Sequence, residues 1–447
     1  MAAAVRIAQA VGAAGALLAA WSALHATLAH GSAEPPEDCS APGAAPGPDG
    51  TCAAPRMWVL TGKPPRHGFP TLASFALQRQ FGQPDLTREQ LLKGELPPGR
   101  VELRSLFISV DPTHANCQKN QPEGVPCMTY TVAEVTRCSE PCPYPVGTRL
   151  MTNLFWKEVQ IWPADRLPVV TPNNKVLVLP NLLPPMVRES HYVGVLGMPG
   201  WTSYSGLFRI GNVTCPGETV LITGAAGVCG AMLGQMAKIL GCRVVGTAGS
   251  DEKVRHLKED LGFDEAINYK TFSTVESMRG ALAAAAPEGF DFYFDNTAGF
   301  VTTAAWPLMK DGARVAICGG IAHYYAQPPW WSHGVWYKEL PREPDGSEPV
   351  GPTPMGSDPV TTISRGRRIT VHALVWHKLE RQQPWEQDFY ERVPRWISEG
   401  KLKVNETILD GFERLPEAFV GLFSGMNVGK MVVQLNWPEG SAAKVAL

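Results

Sequence analysis

Val220-Leu221-Ile222-Thr223-Gly224-Ala225-Ala226-Gly227-Val228-Cys229-Gly230 is the stretch that decides the fold. An apolar run leads into glycines spaced three apart, and a helix-forming segment follows, which is the pattern of a dinucleotide-binding turn. Glycine lets the chain turn sharply off a buried parallel strand. It also leaves the backbone N–H groups of the helix N-terminus open to a pyrophosphate, whose charge the helix dipole favours. The glycines alone do not carry the assignment, because a tight turn in any α/β protein can contain them.

The flanks supply the rest. Val228, Met232, Leu233, Met236, Ala237 and Leu240 recur at helical spacing, Gly241 ends the run, and Arg243-Val244-Val245-Gly246-Thr247-Ala248 reads as a second buried strand. Ser250 is placed to cap a helix that carries Asp251 and Glu252 in its first turn and runs to Leu261-Gly262, and Ala266-Ile267-Asn268-Tyr269 reads as a third strand. The stretches 291–296, 313–318 and 369–376 continue the alternation. Strands alternating with helices in this way predict an α/β fold with a Rossmann doubly wound parallel sheet, whose ligands gather at the carboxyl ends of the strands.

Upstream, Met57-Trp58-Val59-Leu60, the stretch 100–110 and Tyr130-Thr131-Val132-Ala133-Glu134-Val135 are short alternating runs set among prolines, which predicts a β-rich domain over 56–194. The Rossmann domain then spans 195–395, interrupted by a long insertion at 326–366 that contains Trp330, Trp331 and Trp336. Such a loop is either a lid that sets substrate size or a partner-binding loop. Alternation returns at 401–411 and 428–435, so the segment 396–447 is expected to rejoin the β-rich domain.

Composition sets outer limits. The chain of 447 residues is 44% hydrophobic, and its 18% charged residues are scattered and sum to a net charge of −2. With no basic helix or basic and aromatic stripe, no nucleic-acid partner is expected. Arg6 is the lone basic residue ahead of an uncharged span from Ile7 to Ala29. That span reads as a secretory signal peptide within 1–33, as an uncleaved membrane anchor, or as an organelle transit peptide. The first reading places the protein in the secretory pathway or outside the cell; membrane contact is expected only if the segment stays as an anchor. The Pro, Gly and Ala-rich stretch 34–55 reads as a flexible linker.

Of ten cysteines, Cys39 and Cys52 lie in that linker and Cys117, Cys127, Cys138 and Cys142 cluster in one polar stretch. Four such cysteines suit disulfides in an oxidising compartment, with three pairings that spacing does not rank. A structural zinc is the rival, for which the Cys138 to Cys142 spacing qualifies. Asn212-Val213-Thr214 and Asn405-Glu406-Thr407 are glycosylation sequons.

Several motifs then line up in order. Phe107-Ile108-Ser109-Val110-Asp111-Pro112, Gly197-Met198-Pro199-Gly200, the glycine turn, Gly249-Ser250-Asp251-Glu252-Lys253, Asn268-Tyr269-Lys270, Tyr293-Phe294-Asp295-Asn296, Ile317-Cys318-Gly319-Gly320-Ile321 and Asn427-Val428-Gly429-Lys430 resemble the prostaglandin reductase and alkenal double-bond reductase branch of the zinc-independent medium-chain dehydrogenases/reductases. The likeness covers about 57–436. It implies a GroES-like β domain beside the Rossmann domain, no catalytic metal, NADPH as hydride donor, and reduction of a C=C bond conjugated to a carbonyl. It further implies that Gly227, Val228, Cys229 and Gly230 meet the pyrophosphate, and that Ser250, Lys253 and Tyr269 surround the adenosine 2′-phosphate. Asn296, Cys318, Gly319, Gly320, Ile321, Ala322, His323, Val375, Trp376, His377 and Asn427 would line the rest of the coenzyme, and dimerisation would use a sheet edge. The chain departs from the family at Thr113-His114-Ala115, in the cysteine-rich stretch and in the insertion.

The residues themselves bear on this chemistry. The second Rossmann strand ends in Thr247-Ala248-Gly249-Ser250 with no acid for a ribose 2′-hydroxyl, and Lys253 follows one helical step later. That favours a phosphate, and hence NADPH over NADH, unless the strand runs on and Asp251 is the ribose acid. Hydride transfer to an enone leaves negative charge on its carbonyl oxygen, a task for a hydroxyl donor. Tyr324, which is similar in position to the tyrosine of the family's motif, is the candidate that the resemblance implies, as oxyanion donor or proton relay, with Tyr325 and His323 as adjacent rivals and an apolar pocket wall as the alternative role. Cys229, at a helix N-terminus, is either a thiol of lowered pKa or a small residue chosen for fit. No Gly-His-Glu stretch and no Cys-x2-Cys pair of zinc alcohol dehydrogenases occurs, and the ten histidines are dispersed. Two other readings share the fold: a zinc-independent NADPH quinone reductase, and a non-catalytic NADPH- or lipid-binding protein.

Overall fold

The computed structural model describes residues 55–61, 69–79, 96–115, 117, 122–168, 176–325, 359–374 and 385–437. The chain divides into a unit of Met1–Ala54 with Val445–Leu447 and a unit of Pro55–Lys444, and all described residues belong to the second. The expectations for the leader, the linker, Cys39, Cys52, the three insertion tryptophans and Val375, Trp376 and His377 lie outside the described residues.

The first part of the chain forms β1 (Arg56–Leu60), β2 (Phe75–Arg79), β3 (Arg100–Ser109), β4 (Met128–Cys138), β5 (Arg149–Phe155), β6 (Val159–Pro163) and β7 (Leu177–Val178). Alternation of helix and strand follows, through α1 (Met198–Ser205), β8 (Thr219–Ile222), α2 (Val228–Ile239), β9 (Arg243–Ala248), α3 (Asp251–Arg255) and β10 (Glu265–Asn268). It continues with α4 (Val275–Ala285), β11 (Phe290–Asp295), α5 (Phe300–Ala305), β12 (Met309–Ile317), β13 (Val360–Ser364), β14 (Arg367–Ala373) and α6 (Trp385–Ser398). β15 (Glu406–Asp410), α7 (Leu415–Ser424) and β16 (Lys430–Gln434) complete the described chain.

One sheet runs β10-β9-β8-β11-β12-β14-β13. Its first six members are parallel, and their chain order is that of a doubly wound dinucleotide-binding sheet, reversing between β8 and β11. Val220, Leu221 and Ile222 in β8 and Phe292, Tyr293 and Phe294 in β11 are fully buried, as strands covered by helices on both faces must be. A second large sheet runs β15-β16-β3-β4-β5-β7, with β6 on β3, and β1 and β2 form a separate two-stranded sheet. β16 lies antiparallel to β3, Val433 opposite Ile108, so the last strand does return to the first part of the chain.

Three expectations need correction. Residues 360–366 are not irregular insertion: β13 pairs antiparallel with β14 across a turn at Arg365 and Gly366, whose φ values of 52° and 76° suit a two-residue hairpin. The boundary expected at 395 falls inside α6, where Phe389, Val393, Trp396 and Ile397 form one buried face. The stretch expected to alternate from 401 becomes strand only at Glu406.

Cys117 pairs with Cys127 and Cys138 with Cys142, so these four are spent in disulfides and do not form a zinc set. A third bridge, Cys215–Cys242, ties the loop before β8 to the start of β9; no local spacing announces it.

Two buried histidines make the fold sensitive to acid. His114 lies edge-on to Trp156 at 5.4 Å, and His191 accepts the Arg188 N–H at its Nδ1. Burial pushes both imidazoles down to about 4; the Asp111 charge opposes this at His114, while Arg188 adds to it at His191. An unfolded chain takes up those protons near 6.5, so it binds more protons than the folded one between about pH 6.5 and 4, and stability falls as pH drops through that window. Each group contributes up to about 3 kcal/mol. Melting temperature should therefore decline from pH 7 to pH 4.5, and His191→Gln should flatten part of that decline in a pH series of thermal melts.

Candidate coenzyme and active site

The carboxyl ends of β8, β9, β11 and β12 meet one crevice. At the end of β8 the chain reverses through Gly224, whose φ of 58° disfavours other residues. α2 then starts against the turn so closely that a Cβ on Gly230 would sit 2.7 Å from the Ala225 Cα. Among the described residues only the Gly224 carbonyl oxygen lies within 4 Å of a Cβ built on Gly227, which leaves room beside this end of the helix. The loop before β16 closes one side, with the Gly429 N–H donating to the Ala226 carbonyl at 2.8 Å.

Beneath the turn, the fully buried Asp295 holds the crevice together. Its carboxylate accepts from the hydroxyls of Thr223 (2.7 Å) and Thr302 (2.8 Å) and from the N–H groups of Thr297 (3.0 Å) and Ala298 (2.9 Å). Asn296 is drawn onto β8, its amide donating to the Thr223 carbonyl at 2.6 Å. Thr223 and Asp295 are quoted in the sequence only within motifs and without a role; a threonine and an aspartate closing adjacent buried strands are the signal for one.

At the end of β9, the strand stops at Ala248 as expected and Ser250 caps α3, accepting the Lys253 N–H at 3.3 Å. Asp251 accepts from the Asn268 amide at 2.8 Å within the first turn of α3, so it does not extend the strand as a ribose acid. Lys253 donates to the Gly425 carbonyl at 2.7 Å. A Cβ on Gly249 would meet the Lys270 Cε at 3.2 Å and the Tyr269 hydroxyl at 3.3 Å. Burial, then the charge of Lys270, lowers the Lys253 ammonium, and burial raises the Tyr269 phenol. Two ammonium groups and a phenol thus share one corner, and Lys270 is a member that was named only as part of a motif.

After β12, Cys318 and Gly319 donate to the Asp295 carbonyl, and the N–H groups of Ile321 and Ala322 bond the carbonyls of Asn296 and Thr297. His323 bonds back to the Gly320 carbonyl. Tyr324 is buried, with its hydroxyl 2.9 Å from where a Gly319 Cβ would be. Burial, then the nearby Cys318, pushes this phenol well above its ordinary range, partly offset by a hydrogen bond from the Gly320 backbone. A hydrogen bond with Cys229, then burial, holds the Cys318 thiol protonated far beyond the usual pH. Cys229 itself contacts the Pro199 carbonyl at 3.7 Å. Tyr325 packs on Phe423 and Phe69, a wall of aromatic rings. Asn427 donates its amide to the Gly429 carbonyl at 2.8 Å.

Behind this crevice lies a buried ion pair. Lys430 donates to Asp111 at 2.9 Å and to the Val110 carbonyl at 2.7 Å, and the Ser109 hydroxyl donates to the same carboxylate. Burial opposes ionisation of Asp111, but Lys430 and these hydrogen bonds outweigh it and lower its pKa.

The family model of the zinc-binding dehydrogenase matches residues 228–330. Prostaglandin reductase 1 of Rattus norvegicus is 36% identical over 382 residues, spanning 85% of this chain and 98% of its own length. The chain belongs to the medium-chain dehydrogenase/reductase family, in its prostaglandin reductase branch. NADPH-dependent curcumin reductase of Escherichia coli is 30% identical, covering 85% of this chain and 96% of its own. The crystal structure of CurA in complex with NADPH from Vibrio vulnificus superposes with a TM-score of 0.64 at 30% identity, covering 86% of this chain and all of that one.

In this member of the family the ion pair joins β16, whose leading loop touches the coenzyme turn, to the end of β3. Replacing Lys430 with Met leaves the Asp111 carboxylate buried and uncompensated, which should cost about 3–5 kcal/mol. Denaturant titration checks this, and Lys430→Met combined with Asp111→Asn should lose less than the two separate losses added together.

Proposed function

We propose that this protein is an NADPH-dependent reductase of C=C bonds conjugated to a carbonyl, acting on 2-alkenals and enones of the 15-oxoprostaglandin type. The observation that carries this is the buried Tyr324 phenol beside an open dinucleotide turn, in a chain alignable with almost the whole of prostaglandin reductase 1.

The residues fit the coenzyme. The N-terminus of α2 faces a pyrophosphate along Gly227, Val228, Cys229 and Gly230, with the Gly227 N–H itself closing the turn on the Gly224 carbonyl at 3.0 Å. The corner of Ser250, Lys253, Tyr269 and Lys270, free of an acid at the strand end, suits a 2′-phosphate better than a ribose hydroxyl. Asn296, the loop from Cys318 to His323 and Asn427 are placed to line the remainder. When bound, NADPH supplies hydride to the β-carbon of the enone.

Tyr324 acts on the other end of the substrate. Its raised pKa keeps the phenol protonated across the physiological range, so it serves the charge developing on the carbonyl oxygen as a hydrogen-bond donor. Tyr325 and Phe423 form the apolar wall for the hydrocarbon part. The three disulfides among the described residues support a secretory location, with the N-terminal segment as its signal. Among the described residues β13 is one edge strand of the doubly wound sheet, with Ile363 61% exposed on it, and is where a second copy would pair.

Absorbance at 340 nm should fall when purified protein and NADPH meet a 2-alkenal. Tyr324→Phe should lower kcat about a hundredfold, the loss typical of an oxyanion donor; full turnover in that variant would remove the residue from the mechanism. Lys253→Ala and Lys270→Ala should each raise KM for NADPH on the order of tenfold and leave that for NADH nearly unchanged. Equal effects on the two coenzymes would overturn the phosphate assignment. Light scattering on Ile363→Lys tests the dimer, which should dissociate.

A further inference from the structure

The two sequons fold into opposite environments. Asn405-Glu406-Thr407 enters the parallel pair of β15 and β16, where the Thr407 hydroxyl donates to the Val428 carbonyl and accepts the Val428 N–H, both at 3.0 Å. The Asn405 amide oxygen is closed off from water, and its backbone carbonyl accepts the Lys430 N–H at 2.9 Å.

Asn212-Val213-Thr214 lies in the loop between the helical segment Gly206–Ile210 and β8. The chain zigzags there, so Val213 is buried while Asn212 and Thr214 are both exposed. Asn212 adopts a φ of 41°, a region that asparagine tolerates better than most residues. Among the described residues neither of the two polar side chains has a hydrogen-bond partner. The backbone around them is nonetheless held. The Gly211 carbonyl accepts from Arg314 Nε at 2.6 Å, the Val213 N–H donates to the Leu207 carbonyl at 3.3 Å, and the Thr214 N–H donates to Glu218 at 3.2 Å. The next residue, Cys215, is bridged to Cys242. Arg314 also binds Asp291 and Glu218, which places the loop at the amino ends of the parallel strands, away from the coenzyme turn at their carboxyl ends.

We infer that Asn212 is an N-glycosylation site and Asn405 is not. In the transfer the Asn212 amide nitrogen forms a bond to C1 of an oligosaccharide delivered on a lipid pyrophosphate. The bond from C1 to the pyrophosphate oxygen breaks, the amide gives up one proton, and the lipid pyrophosphate leaves. The exposed Thr214 supplies the hydroxyl that the acceptor sequence requires. The sugar then covers the end of the sheet remote from catalysis and leaves turnover untouched.

The test is expression of the full chain in a eukaryotic secretory host. Amidase release of N-glycans in heavy-oxygen water should mark Asn212 as heavy aspartate in peptide mass spectra, and gel mobility should increase by one glycan. The shift should vanish in Asn212→Gln and Thr214→Ala and persist in Asn405→Gln, while Asn212→Gln consumes NADPH at the wild-type rate. An unmodified Asn212, or sugar on Asn405 in its place, overturns the inference. The same digest reports the Cys215–Cys242 bridge: if it is intact beside a bare Asn212, the loop itself was refused; if it is reduced, the chain never met the oxidising compartment.

Discussion

A charged pair sealed from water ties the end of β3 to the start of β16. Lys430 and Asp111 are almost fully buried, and each is stabilised only because the other is present. The strand that carries Lys430 is preceded by Gly429, whose N–H reaches the coenzyme turn at Ala226. The position of the glycine turn relative to the β-rich part of the chain therefore depends on one ammonium finding one carboxylate. Hydrophobic contact along the same seam is non-directional and could tolerate a slip; a buried charge with fixed partners could not.

The crevice follows from strand order. Between β8 and β11 the sheet reverses its direction of growth, and the loops leaving these strands diverge to opposite faces. Thr223 and Asp295 keep that divergence from becoming a gap: the carboxylate draws four donors inward and fixes the loop from which Asn296, and through it Ile321, take their positions. Tyr324 is thus placed by a chain of backbone hydrogen bonds that begins on a neighbouring strand.

Much of this was readable in the amino-acid order, because the period of apolar residues records local structure directly. β8 and β9 fall where the apolar runs placed them, and Ser250 caps its helix as its residue type suggests. What local pattern does not hold is partnership across sequence distance. Lys430 and Asp111 are 319 residues apart, and Cys215 is joined to Cys242 across the whole of β8 and α2. Lys270 was quoted within a motif, but its role needs Gly249, which lies in a different loop, to leave room for its chain. β13 was missed for a different reason: five residues of alternation beside a long proline-rich stretch look like its continuation until the turn at Arg365 and Gly366 is seen.

Lys253 already has an occupant. Its ammonium rests on the Gly425 carbonyl at the end of α7, the negative pole of that helix. The ammonium carries three donors, so an anion at this corner would share the lysine with that pole, and the helix end helps to aim the charge.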